Sequence, residues 1–305
     1  MVLAPMTING IEDKMKIVSN FTFFNELDLL EIRLATEYDH VDRFVIVESS
    51  HTFTGLYKGY NLEANKERYA KWWDKVVYLQ IGEAPPNTTQ HKDSWYREYW
   101  SREQFHSQWG DLGPDDVVII SDLDELVRPE AIDYIRNTDH GFYRLSTPYF
   151  CYKLNNVNVI GHNPWNQVKA FRGHFVPGMD GMRRINNGVP GKTSVELTHA
   201  GWHFAYLGGR DKILEKIRSF AHTENNTPHI TDRIQVDNLI GRETCHWNES
   251  LKFKTVQIND YFPKYLVDNI DKFADYIHPD TTNNTVQNLI PGNIPNVLGH
   301  CSLWN

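Results

Sequence analysis

Apolar positions follow two alternating rhythms through the first 140 residues. Short apolar runs at Lys16-Ile17-Val18-Ser19, Arg43 to Glu48 (RFVIVE), Lys75 to Ile81 (KVVYLQI) and Asp116 to Ser121 (DVVIIS) read as strands. The last is continuously apolar through Val117 to Ile120, as expected of a strand covered on both faces. Between these runs lie stretches of helical period. Asn25 is placed to cap a helix whose inner face is Leu27, Leu30 and Leu34. Residues 62–73 and about 93–109 continue the alternation, and Pro129 suits the first turn of a helix ending near Asn137. Four strand–helix alternations predict an α/β fold, with a mostly parallel central sheet, right-handed crossovers and helices on both faces.

From Phe142 the rhythm changes. Strand-like pieces crowd together: FYRLSTPYF, VNVIG, VKAFR, SVELT and WHFAYL. Helical period returns at about 211–220 and 231–240, and the chain beyond His278 is rich in Asn, Pro and Thr and reads as irregular. With no repeat and no linker, a single domain is expected over residues 1–280, with halves at about 15–140 and 141–280 and a tail at 281–305.

Composition narrows the partners. With 305 residues, 40% of them hydrophobic, the chain is long enough to bury a sizeable core. A net charge of −8 and no Lys/Arg block of five argue against nucleic acid. No stretch approaches the ~18 apolar residues of a membrane helix, so no membrane span is expected. The first residues hold no basic region followed by an apolar run, so no signal peptide is expected and the predicted location is cytoplasmic. Cys151, Cys245 and Cys301 form neither a disulfide framework nor a zinc spacing, which suits a reducing compartment. The Asn-x-Ser/Thr sequons at Asn20, Asn87, Asn225, Asn248 and Asn283 are then chance matches. Nine Trp and fifteen Tyr furnish either a large aromatic core or rings that stack sugars. Trp165 and Trp202 are stacking candidates, against core packing for each.

Ligands of open α/β sheets bind beyond the carboxyl ends of the strands. Here those ends carry Ser19-Asn20, Glu48-Ser49-Ser50, Gln80 to Gly82 and Ser121-Asp122. Asp122 and Asp124 straddle Leu123, and residues two apart in an extended segment face the same way. Both carboxylates can therefore address one site. Such a pair suits a hard divalent cation, Mn²⁺ or Mg²⁺, completed by phosphate oxygens and water. The same sequence also reads as a solvated turn with a helix cap.

Four blocks carry a resemblance: KIVSNFTFFNELDLLEIRL, VDRFVIVESSHTFTG, SDLDEL and AGWHFAYLGGRDKILEKIRSFAHTE, in that order between Lys16 and Glu224. Together they resemble glycosyltransferase family 17. The resemblance implies a GT-A-like fold with a donor half (about 15–140) and an acceptor half (about 141–280). It also implies a nucleotide-sugar donor such as UDP-GlcNAc, a glycan acceptor, a divalent metal and inversion at the anomeric carbon. On that footing Asp122, Asp124 and His203 are expected to hold the metal, with His222 as the alternative third ligand. Asn20, Glu48, Arg97, Asp122 and Lys212 are expected around the UDP-sugar. Glu48 would accept the ribose hydroxyls, and Arg97 or Arg102 would reach the diphosphate. Gly208, Gly209, Arg210 and Lys212, after His203, would meet the phosphates. Plainer readings stand beside these: a loop cap for Glu48, an ion pair with Glu98 or Glu103 for the arginines, a core histidine for His203. Thr22 and Glu26, and His51, Thr52, Thr54 and Gly55, match the family's loops and either touch the donor or shape those loops. Inversion needs a carboxylate base, for which Asp180, Glu196, Glu125 and Glu224 are candidates. Competing activities are transfer of a different sugar, sugar binding without catalysis, and phosphate hydrolysis with Asp122 as nucleophile.

Overall fold

The computed structural model describes residues 15–173, 178–279, 283–290, 292 and 302–303. Strands β1 (Ile17–Thr22), β2 (Arg43–Ser49), β3 (Val76–Ile81) and β4 (Val117–Ile120) alternate with helices α1 (Leu27–Glu37), a 3₁₀ stretch at Glu63–Lys75, and α2 (Asp93–Glu103). These strands lie side by side in the order β3-β2-β1-β4, and every neighbouring pair is parallel. Alternate residues point to opposite faces, and both faces are covered. Ile17, Phe44, Ile46, Val117 and Ile119 pack against the apolar face of α1. Val18, Val45, Val118 and Ile120 pack on the other side against Phe105 and Met182.

The second half continues with β5 (Glu125–Val127), α3 (Pro129–Asn137), β6 (Phe142–Thr147), β7 (Tyr149–Cys151), β8 (Asn156–Ile160), β9 (Trp165–Arg172) and α4 (Met179–Arg183). Then follow β10 (Ser194–Leu197), β11 (Gly201–Ala205), α5 (Gly209–Ser219), β12 (Lys252–Thr255) and β13 (Ser302–Leu303). The larger sheet has the order β13-β10-β6-β9-β4-β1-β2-β3. Strand β9 runs antiparallel to both neighbours, and β13 is antiparallel to β10, so the sheet is mixed rather than mostly parallel. A second, five-stranded sheet, β12-β8-β7-β11-β5, stands beyond the end of β4. Strand β5 pairs with β11 at Gly201, where a Cβ would lie 1.9 Å from the Leu126 carbonyl oxygen, so only glycine allows this approach.

Several local expectations change. Glu26, not Asn25, occupies the cap position of α1, and its carboxylate accepts the Phe24 and Asn25 N–H groups. The helical period at 231–240 resolves into two short helices, Pro228–Thr231 and Val236–Gly241. The tail holds a helix at Val286–Leu289, capped by the Thr285 hydroxyl, and strand β13. Cys151 and Cys245 are buried free thiols, and Cys301 lies outside the described residues. Among the described residues no helix is long and apolar enough to cross a membrane.

Candidate functional site

A cleft of about 840 Å³ opens where β1, β2 and β4 end. Its floor is the loop from Ser121 to Glu125, which is propped from beneath. Arg33 projects from α1 into the interior with no exposed surface. Its guanidinium donates to the Asp122 carbonyl at 2.7 Å, the Leu123 carbonyl at 3.3 Å and the Ser121 hydroxyl at 2.7 Å. One helical turn on, Glu37 pairs with it at 3.2 Å and accepts the Val127 N–H at 2.9 Å and the Ser19 hydroxyl at 2.9 Å. Burial works against both charges, raising the Glu37 pKa and lowering that of Arg33. The oxygens and donors around them compensate, because an enclosed ion pair persists only when its remaining hydrogen-bonding positions are filled. Sequence reasoning passed over this pair. Its signal was an Arg and a Glu at i and i+4 on a helix with apolar neighbours.

The two aspartates do face one cleft while Leu123 packs inward, in a turn rather than as an extension of β4. Their partners differ. Asp122 accepts from Arg102 at 2.8 Å through Oδ1 and from Arg183 at 2.6 Å through Oδ2. Burial would raise its pKa, but Arg183 and Arg102 outweigh this and hold it well below the carboxylate range. Asp124 accepts from Lys216 at 2.7 Å through Oδ2, while its Oδ1 faces His203 Nε2 at 3.7 Å. Burial again opposes its charge, and Lys216 and His203 keep its pKa low. Glu125 is fully buried. It accepts the Asp122 N–H at 2.7 Å, both Arg183 amino groups at 2.7 Å and the Trp165 indole N–H at 2.6 Å. Both of its oxygens are saturated by donors, so it fixes Arg183 and Trp165 rather than exposing a base.

Strand β11 brings His203 across from the second sheet, between the rings of Tyr149 and Trp165 at 4.9 and 4.5 Å. Burial lowers its pKa against the pull of Asp124, so the imidazole is neutral near pH 7. A neutral imidazole is the metal-binding form. Among the described residues no group of three or more His, Cys, Asp or Glu side chains is arranged to hold a metal ion. The expected set of Asp122, Asp124 and His203 reduces to a facing pair, because both Asp122 oxygens go to guanidiniums. That pair still fits a small divalent ion. The 3.7 Å gap is too long for a hydrogen bond, and such ions take few protein ligands and complete their shell with water and phosphate.

The remaining candidates scatter. Asn20 is buried and donates to the Val18 and Ile119 carbonyls, so neither a ligand nor a glycan reaches its amide in the fold. Glu48 is enclosed by Lys58 at 2.5 Å, the Tyr78 hydroxyl at 2.6 Å and the backbone N–H groups of Asn61 and Leu62. Its oxygens close a loop instead of meeting ribose. Arg97 donates to the Phe53 carbonyl and packs under Gly55, so it braces the loop after β2, and Arg102 is the arginine of α2 at the acids. Lys212 donates to the Tyr276 hydroxyl beside a separate small cavity, and Lys216, one turn later, meets Asp124. Glu196 pairs with Arg144 and Ser146 on β10, away from the cleft. Asp180 stands in α4, but its side chain lies outside the described part of the structure. His222 and Glu224 line the cleft and share a 2.6 Å hydrogen bond. Trp165 lines the cleft, whereas Trp202 is core, under the Arg128 guanidinium. Arg183 and Lys216 escaped notice because nothing in their sequence neighbourhood ties them to the acids 61 and 92 residues away.

The model of glycosyltransferase family 17 matches residues 8–282. A human protein named beta-1,4-mannosyl-glycoprotein 4-beta-N-acetylglucosaminyltransferase is 29% identical over 298 residues, covering 85% of this chain and 54% of its own length. Its rat namesake is 29% identical over 300 residues, with the same shares of 85% and 54%. The chain thus spans about half the length of the curated relatives it matches.

Proposed function

The chain belongs to glycosyltransferase family 17, and from that premise we propose that it transfers N-acetylglucosamine from UDP-N-acetylglucosamine to a glycan acceptor. In this reading transfer inverts the anomeric carbon and uses a divalent cation, Mn²⁺ or Mg²⁺. The sugar and acceptor class follow the relatives' name, which states transfer of N-acetylglucosamine to a mannosyl glycoprotein. A GT-A-like fold is part of the same reading, supported by the parallel block β3-β2-β1-β4 with the cleft at its carboxyl ends.

The observation that carries it is Asp124 Oδ1 and the neutral His203 Nε2 facing each other at 3.7 Å on the cleft floor, ringed by Arg102, Arg183 and Lys216. Asp124 and His203 would hold the cation, which when bound neutralises charge developing on the departing diphosphate. The three basic side chains now satisfy Asp122 and Asp124. Guanidinium and ammonium groups bind phosphate oxygens equally well, so an arriving diphosphate finds donors already in place. Among the proposed bases with described side chains, Glu125 is saturated and Glu196 lies away from the cleft, while Glu224 lines it in a hydrogen bond with His222.

The test is thermal unfolding with a panel of nucleotide sugars, with Mn²⁺ or with EDTA. UDP-N-acetylglucosamine with Mn²⁺ should stabilise the fold by roughly 2.7 kcal/mol at a hundredfold excess over Kd. Asp124→Asn should lose the metal-dependent part. Equal stabilisation in EDTA would remove the cation from the scheme. A response confined to another nucleotide sugar would reassign the donor.

A further inference from the structure

The sheet fixes what lies beside what along the cleft. Strands β2, β1, β4 and β9 are consecutive neighbours. Strands sit ~4.8 Å apart, so the wall after β2 and the wall at β9 are separated by about 14 Å, with the acids between them. Strand β9 is antiparallel to β4, with Lys169 opposite Ile120, so its first residues project past the end of β4 to the level of Asp122 and Asp124.

That projecting wall is aromatic. Tyr149, His162, Trp165 and Trp247 all line the cleft. Tyr149 and Trp165 are stacked, 5.9 Å apart and 24° from parallel, and His162 lies 6.1 Å from Trp165 and 5.1 Å from Trp247. Trp165 and Trp247 keep part of their surface open, unlike the enclosed Trp202. The wall is also rigidly registered to the acids: the Trp165 N–H is held by Glu125, which is held by Arg183, which holds Asp122. The Trp165 ring also abuts His203, the partner of Asp124. Half-open indoles in a concave site leave apolar area in water, and the C–H face of a pyranose covers such area while its hydroxyls remain free for polar groups such as Gln167 on the same wall.

We propose that the wall of His162, Trp165 and Trp247, backed by the buried Tyr149, is the acceptor platform, stacking a hexose ring of a carbohydrate acceptor beside the acid pair. This rests on the reading of the chain as a glycosyltransferase. The opposite wall, after β2, is left to the nucleotide.

The experiment titrates mannotriose and chitotriose into the protein with UDP and Mn²⁺ present, following tryptophan fluorescence and saturation-transfer NMR. Binding of at least one of them is expected in the wild type. Trp247→Ala and Trp247→Leu should weaken it by about tenfold, Trp247→Phe should retain most of it, and stabilisation by UDP should not change in any of the three. If Trp247→Ala fails to fold, Trp247→Leu carries the comparison, since it keeps apolar bulk without a ring face. Unchanged oligosaccharide affinity in the folded variants, no saturable oligosaccharide binding to the wild type, or loss of UDP binding in place of oligosaccharide binding would each overturn the platform. Failure of the glycosyltransferase reading looks different: a wild type that responds to no nucleotide sugar.

Discussion

Arg33 and Lys169 are both fully enclosed, and they are held in opposite ways. Arg33 lies beneath the loop with an oxygen for nearly every donor: two carbonyls, two hydroxyls and the Glu37 carboxylate. Lys169 lies on β9, where its ammonium donates to the Asn166 carbonyl and has no carboxylate within ion-pair distance among the described residues. Burial, reinforced by Arg183, pushes the Lys169 pKa down to about 7. Enclosure alone therefore does not decide whether a charge persists. What decides is whether the enclosure supplies oxygens, since desolvation costs each ion several kcal/mol unless partners offset it.

The sharpest way to break this comparison is to unbalance the compensated site. Glu37→Gln leaves Arg33 enclosed without its counter-charge, and Arg33→Met leaves Glu37 likewise. Each should lower stability by about 3–5 kcal/mol in urea unfolding. The double variant Arg33→Met/Glu37→Leu should recover much of that loss, because replacing a whole buried pair with apolar groups is often neutral. It should not recover UDP and Mn²⁺ binding, since the loop would still lack the donors that seat the Asp122 and Leu123 carbonyls. Full recovery of both would mean that the pair supports the fold without positioning the loop.

Lys169 should respond with the opposite sign. A group whose folded pKa is depressed contributes stability at high pH and loses it as pH falls toward the folded value. Between pH 10.5 and about 7 the unfolded chain takes up a proton that the fold refuses, so wild-type stability declines across that window. The fall from 10.5 to about 7 caps the penalty at roughly 5 kcal/mol. Lys169→Met should therefore stabilise the fold at pH 7, by about 2 kcal/mol once the lost hydrogen bond is counted. The gain should shrink as pH rises toward 10. A variant less stable than wild type at pH 7 would show that Lys169 is compensated after all.

The same contrast explains what was legible in the sequence. Strands β1 to β4 declare themselves because continuous apolar runs with β-branched residues suit a sheet covered on both faces, and all four appear within a few residues of their expected ends. In the second sheet β7, β8 and β11 fall within or overlap the strand-like runs FYRLSTPYF, VNVIG and WHFAYL, whereas the short β5, Glu125–Val127, shows no periodicity to read and pairs with β11 far along the chain. That Asp122 and Asp124 both address the cleft was readable, but the extended geometry behind that reading is replaced by a turn. The choice between Lys212 and Lys216 was not, because both lie on α5 one turn apart and only the placement of that helix decides which meets Asp124. Glu48 looked like a ligand group because it ends a strand. Its partners Lys58, Asn61, Leu62 and Tyr78 arrive from a loop and a neighbouring strand whose course the sequence does not reveal.

Lys216 completes the series as a cation that is compensated but reachable. Its ammonium sits 2.7 Å from Asp124 Oδ2 and 3.8 Å from Glu26, and a quarter of its side chain is open to the cleft. Arg33 is sealed, so no ligand competes for its partners, whereas Lys216 holds the carboxylate that a divalent ion would need. Lys216→Met removes that competitor, and Mn²⁺ should then bind several-fold more tightly in the absence of nucleotide, on the order of 1 kcal/mol. With UDP present the gain should vanish or reverse, because the lysine freed by the metal is also a donor to the diphosphate. Calorimetric titration of Mn²⁺ into both proteins, with and without UDP, reads the two effects separately. The expected result is a crossing: the variant ahead without nucleotide, and level or behind with it. Identical affinities in both conditions would show that Lys216 neither guards Asp124 nor serves the diphosphate. A loss of Mn²⁺ affinity in both would mean that Lys216 orients Asp124 rather than competing for it.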